Sequence, residues 1–132
     1  MTDPVVTAQI DSIDYQVQFD DGTHTWVADE PPSLGGGDVG PAPFSLLLSS
    51  LGACTAITLR MYAQRKGWPL ARVRMKLSLD NGRDGPTIDR QIMLDGDLSG
   101  EQRERLLQIA NACPVHKLLA GPIAIRSGLA VA

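Results

Sequence analysis

The sequence lacks any concentration of positive charge. Its 12 lysines and arginines are scattered along 132 residues that also carry 15 acidic side chains, for a formal net charge of −3. Without a basic stripe to track a phosphate backbone, nucleic acid is not an expected partner. The start, Met1-Thr2-Asp3-Pro4, has neither the basic segment nor the apolar core of a secretory signal, so the expected location is cytoplasmic and reducing. The longest weakly polar run, Pro43 to Leu59, falls short of the roughly 20 consecutive apolar residues of a membrane span and is diluted by Ser45, Ser49, Ser50, Thr55 and Thr58. A packed helix, not a membrane segment, is expected there. Repeats and low-complexity stretches are missing as well.

Cysteine is scarce: Cys54 and Cys113 are the only two. In a reducing compartment a pair so far apart reads as catalytic or inert thiols and not as a structural disulfide. A closed zinc site needs four ligands at short paired spacings, and only Cys113 with His116 offers one, with Cys54 and His24 far off in sequence. No metal and no cofactor is therefore expected. With 43% hydrophobic residues, the chain can bury a core as one domain without such staples.

What is present has a clear order. Val5 to Ile10, Tyr15 to Phe19 and His24 to Ala28 alternate apolar with polar residues, and Asp20-Asp21-Gly22 supplies turn chemistry, so residues 5–28 read as a three-stranded meander. Residues 29–42, rich in glycine and proline, form a long loop and a candidate rim for a site. A central helix is expected over about 44–66, with Pro43 tolerated in its first turn and Gly67 ending it. Leu46, Leu47, Leu48, Leu51, Ala53, Ala56, Ile57, Leu59 and Met61 cannot lie on one stripe, so the helix must be covered on most sides, in part by a second subunit.

Further on, Val73, Met75, Leu77 and Leu79 alternate with Arg74, Lys76 and Ser78 in a half-buried strand. Asn81-Gly82 begins a turn, and Ile88 to Leu94 returns as a weaker strand interrupted by Asp89, Arg90 and Gln91, so that strands occupy about 72–94. Ser99 with Gln102 makes a capping box for a second helix over about 99–112. Cys113-Pro114 then breaks the chain. A short helix over Val115 to Leu119 is stopped by Gly121-Pro122, and strands near Ile123 to Ile125 and over Leu129 to Val131 close the chain.

The local settings of the two cysteines differ. A thiol attacks as its thiolate, which a cation, a donor or a helix N-terminus favours. Pro114 suits a first helical position and puts Cys113 at the cap, whereas Cys54 lies mid-helix and does not share a face with Arg60. Both also fit the commonest use of free cysteine, a small buried hydrophobe. Gly52 costs a helix interior roughly 1 kcal/mol relative to alanine, which answers either close helix packing or the approach of a ligand. His116 reads as a polar residue of the short helix that could help hold Cys113.

Two segments carry a resemblance: Gly40-Pro41-Ala42-Pro43-Phe44-Ser45-Leu46-Leu47-Leu48 leading to Leu51-Gly52-Ala53-Cys54-Thr55, and Ala112-Cys113-Pro114-Val115-His116-Lys117. With the order of elements, they make the chain resemble the OsmC/Ohr family of osmotically induced and organic hydroperoxide resistance proteins over nearly its whole length. The resemblance implies an α+β, OsmC-like fold as a single domain over 1–132, in an intertwined homodimer whose long central helices are wrapped by antiparallel sheets. It implies that Cys54 is the peroxidatic thiolate, that it attacks an alkyl or lipid-like hydroperoxide and becomes a sulfenic acid, that Cys113 resolves it to a disulfide, and that an external dithiol reduces the pair. Family peroxidases also carry a glutamate just after the proline that begins the central helix, which orients an activating arginine. Here Phe44 and Ser45 follow Pro43 and the carboxylate is missing, so either Asp29, Glu30 or Asp38 of the loop replaces it or the thiolate is less activated and the peroxidase slow. The alternative is a non-enzymatic relative that binds an apolar small molecule at the dimer interface.

Overall fold

The computed structural model describes residues 3–130, and these form two compact units, one up to Ser49 and one from Ser50 onward. The first unit holds an antiparallel meander of β1 (Thr7–Ile10), β2 (Val17–Asp20) and β3 (Thr25–Ala28). The turn between β2 and β3 is built by its aspartates: Asp20 Oδ1 accepts from the Gly22 amide and Asp21 Oδ1 from those of Thr23 and His24. Gly22 takes the positive φ that the turn needs. Tyr15, expected to open the second strand, instead lies in a turn with φ of 68°, and the ladder starts at Val17.

After β3 the chain runs through the glycine-rich loop, which contains one 3-10 turn at Pro32–Leu34. Its organiser is Asp29, a carboxylate left only 2% exposed. Asp29 Oδ1 accepts from the Glu30 amide at 2.7 Å and Oδ2 from the Val39 amide at 3.2 Å, so both ends of the loop are tied to one side chain. Gly36 and Gly40 are required by space: a Cβ at either would overlap the carbonyl oxygen of Glu30 or of Val27.

Helix α1 spans Pro43–Lys66 and continues into the second unit. Its length and a mean hydropathy of 1.4 over its most apolar window would suffice to cross a membrane. Its buried residues Leu51, Thr55, Leu59 and Ala63 recur every four positions and so form one face. Leu59 and Ala63 join Leu70, Leu98, Leu106 and Ala110 in the core of this unit, flanked by Tyr62, Trp68, Val73, Ile92, Leu94 and Ile109. The strands that flank this core are β4 (Leu70–Asp80) and β5 (Thr87–Gly96), paired antiparallel with Leu77 opposite Arg90 and a bulge near Leu70.

Helix α2 (Gly100–Ala110) begins at the capping box, with Ser99 Oγ accepting from the Gln102 amide and the Gln102 side chain accepting from the Ser99 amide. It ends two residues before the expected Ala112, with Asn111 as its cap. Helix α3 (Pro114–Ala120) follows directly, with Cys113 at its N-cap. The closing strand expected over Ile123 to Ile125 does not form, and residues 122–130 have no regular structure. An apolar alternation creates strand propensity but supplies no partner edge, and without an edge there is no ladder. The second expected strand, Leu129 to Val131, reaches past the described residues.

Candidate active site

Cys54 projects from the middle of α1, next to Thr55 on the buried face of that helix. Cys113 is fully buried at the corner between α2 and α3, whereas Cys54 is half-buried. Both are free thiols. Although 59 positions separate them in sequence, the two side chains come within hydrogen-bonding reach of each other.

Their surroundings treat the two sulfurs differently. Burial pushes the Cys54 thiol up, against hydrogen bonds from the Val115 amide and the Thr58 side chain, and the neighbouring Cys113 pushes it further in the same direction. Burial alone would raise Cys113 too, but donors converge on it and hold its thiol below the ordinary value. The His116 amide donates to Cys113 Sγ at 3.3 Å, the Cys54 thiol donates to the same sulfur, and the Thr55 hydroxyl lies 3.9 Å away. When the pair gives up one proton, these donors favour the negative charge on Cys113 over Cys54.

Behind Thr55 stands Arg90 of β5. Its Nη1 donates to Thr55 Oγ1 at 2.9 Å, its Nη2 donates to Asn111 Oδ1 at 3.1 Å, and Nη2 also lies 3.1 Å from His116 Nδ1. An arginine can only donate, so Nδ1 is the accepting nitrogen of the ring and the imidazole proton sits on Nε2. One guanidinium thus joins β5, α1, the cap of α2 and helix α3 around the buried sulfur.

Sequence reasoning singled out the two cysteines and His116, and all three meet here. It did not single out Arg90, Thr55 or Asn111. Arg60, considered beside Cys54, instead donates to the Leu70 carbonyl and, at 3.1 Å, to that of Ala71. His24 lies in the turn after β2, its Nδ1 3.6 Å from Asp21, and belongs to the other unit. Among the described residues no group of three or more His, Cys, Asp or Glu side chains is arranged to hold a metal ion. Of the loop acids, Asp29 already accepts amides of its own loop. Gly52 makes room for a side chain: a Cβ there would lie 3.0 Å from Leu77 Cδ1.

The chain is thus an α+β protein whose two cysteines, one buried and one half-buried, lie side by side. Residues 35–127 match the family model described as OsmC-like protein. The chain belongs to the OsmC-like family. No curated protein sequence matches it. Among solved structures it is similar to the OsmC-like protein of Mycoplasma pneumoniae, with a TM-score of 0.78 and 21% identity over 91% of this chain and 89% of that one. It is also similar to the organic hydroperoxide resistance protein OhrB of Bacillus subtilis, with a TM-score of 0.64 and 22% identity over 91% of this chain and 92% of that one. A third relative, an organic hydroperoxide resistance protein OsmC from Legionella pneumophila, gives 0.63 and 22% over 92% and 91%. At these identities the likeness establishes the fold, and a protein of unknown function from Vibrio cholerae shares it, with a TM-score of 0.68 and 12% identity over 89% of this chain and 94% of that one.

Proposed function

We propose that the protein is a thiol-dependent peroxidase that reduces organic hydroperoxides, as a homodimer with the whole chain acting as one OsmC-like domain. The observation that carries this reading is the pair itself: two free thiols, distant in sequence, within hydrogen-bonding reach of each other between α1 and the corner of α2 and α3. Their unequal burial suggests their roles. The half-buried Cys54 is the sulfur a substrate can reach, and the fully buried Cys113 waits behind it.

In the first step Cys54 sulfur attacks the terminal oxygen of the hydroperoxide. An S–O bond forms, the O–O bond breaks, and the alkoxide leaves to be protonated as an alcohol. Cys113 sulfur then displaces hydroxide from the Cys54 sulfenic acid, which forms the disulfide and, after protonation, water. An external dithiol returns both cysteines to thiols and becomes a disulfide itself. Such a cycle needs no cofactor and suits a cytoplasmic, reducing setting. The apolar surroundings of Cys54 favour alkyl or lipid-like hydroperoxides over hydrogen peroxide.

Counting free thiols before and after one equivalent of cumene hydroperoxide tests the cycle. The expected result is the loss of both thiols of each chain as an intramolecular disulfide. Cys54→Ser should abolish turnover, and Cys113→Ser should allow one attack and then accumulate oxidised Cys54. Peroxide consumption by Cys54→Ser equal to that of the parent would refute the assignment. Unchanged thiols together with a copurifying apolar molecule would make the chain a binding protein instead.

A further inference from the structure

Arg90 occupies a position where a charge is out of place. Along β5 the residues Ile88, Arg90, Ile92 and Leu94 are all half-buried on one face, while Thr87, Asp89, Gln91 and Met93 face solvent. A guanidinium on the inner face of a strand loses solvation unless its donors are used, and Arg90 spends them on Thr55, Asn111 and His116. Two of these are the residues next to the sulfurs: Thr55 follows Cys54 and lies 3.9 Å from Cys113 Sγ, and the amide of His116 donates to Cys113.

The Thr55 hydroxyl is the link. Arg90 donates to its oxygen, so the one hydroxyl hydrogen must point elsewhere, and two acceptors compete for it: the Leu51 carbonyl at 2.7 Å and Cys113 Sγ at 3.9 Å. The carbonyl is the nearer acceptor, and a negative charge on the sulfur strengthens its competition for the hydrogen. A fixed positive charge one hydroxyl away stabilises that anion further, since Cys113 and Thr55 are themselves fully buried. The titratable and charged groups around Cys113 are Cys54 from α1, His116 from α3, and Arg90 from β5, which reaches the sulfur through Thr55.

We infer that Cys113 serves as the base of the pair as well as its resolving thiol, taking the proton of Cys54 while Cys54 attacks, and that Arg90, acting through Thr55, is the positioning residue that keeps Cys113 ready for this. The inference rests on the peroxidase reading. The step balances: Cys54–SH, Cys113–S⁻ and ROOH become Cys54–SOH, Cys113–SH and RO⁻. The alkoxide then takes the proton from Cys113 and leaves as the alcohol, which restores the Cys113 thiolate for attack on the sulfenic acid. It also accounts for a nucleophile whose own surroundings disfavour its anion, because its conjugate base is held next to it.

Two measurements on the full chain test it. In Cys54→Ser, only Cys113 remains, and the ultraviolet absorbance of its thiolate against pH gives its midpoint without any peroxide. Adding Arg90→Gln or Thr55→Val should raise that midpoint by about one pH unit, a roughly tenfold loss of thiolate at pH values below both midpoints, and Thr55→Ser should restore it. If Arg90→Gln does not fold, as judged by circular dichroism, Arg90→Lys should give an intermediate midpoint. An unmoved midpoint in any folded Arg90→Gln or Thr55→Val chain overturns the role of Arg90.

The second measurement is the single-turnover rate of Cys54 oxidation by cumene hydroperoxide. Loss of the base in Cys113→Ser should slow this first step by roughly a hundredfold, and a first step as fast as in the parent overturns the base role. If the parent itself is not oxidised, the peroxidase reading and the base role fall together, while the titration still decides what Arg90 does to Cys113.

Discussion

Arg90 and Asp29 are the two charged side chains whose placement most constrains this chain, and they were legible to different degrees. On β5, residues Asp89, Arg90 and Gln91 look like a polar interruption, but strand alternation assigns Asp89 and Gln91 to solvent and leaves Arg90 alone among apolar positions. That misfit was a readable signal for an arginine whose donors are used inside its unit. Thr55 carried none, since a threonine in an apolar helix reads as dilution. Asp29 has a consequence that can be measured. Hydrogen bonds from the Glu30, Val39 and Gly37 amides hold its carboxyl below the ordinary carboxylate value, against the opposing effect of burial. The unfolded chain therefore takes up this proton first as the pH falls. The stabilisation is complete above the ordinary value of 3.8 and disappears as pH drops through the depressed folded value. Melting temperatures recorded from about pH 6 down to about pH 2.5 should fall more gently for Asp29→Asn than for the parent, because the asparagine has no such proton to bind. Identical acid limbs would show that the loop is not held by the charge.

At the scale of elements, Gly52 shows how a sequence signal can be right about space and silent about what fills it. The glycine suggested close approach of a backbone or a ligand, and what approaches is the Leu77 side chain of β4, 3.0 Å from where a Cβ would be. The end of a half-buried leucine can rotate away. Gly52→Ala should then gain helix propensity of up to about 1 kcal/mol and lose a similar amount to repacking, for a net change within about 0.5 kcal/mol by denaturant unfolding. Gly52→Val, with a branched carbon that rotation of Leu77 cannot accommodate, should cost about 1–3 kcal/mol. A destabilisation of that size already in Gly52→Ala would mean that Leu77 is fixed. The helices and the β4–β5 pair were readable because each carries its own periodicity and punctuation, such as the Ser99–Gln102 box and the Cys113-Pro114 break. The closing strand was misread for the opposite reason: Ile123 and Ile125 have strand-like side chains, but pairing is a property of two segments.

For the whole molecule, the unresolved question in the sequence was what covers α1, and the structure divides that helix into two faces. Leu51, Thr55, Leu59 and Ala63 are buried within the chain, while Ile57 and Met61 remain 54% and 57% exposed beside a groove that Val73 also lines. Residues with such different surroundings should fail in different ways. Leu59→Ala removes a fully buried side chain and should lower unfolding stability by about 2–5 kcal/mol without changing the state of assembly. Ile57→Glu touches little within the chain, but if the proposed homodimer buries this face, a carboxylate there is stranded without solvent and the protein should sediment as a monomer while its far-ultraviolet circular dichroism stays that of the parent. Sedimentation without detergent adds a third discrimination, since α1 is also long and apolar enough to enter a bilayer. A parent that is a dimer in plain buffer and is split by Ile57→Glu assigns the face to a second copy of the chain. A dimer that survives the substitution moves the interface elsewhere, and a parent that stays dispersed only in detergent gives the face to lipid.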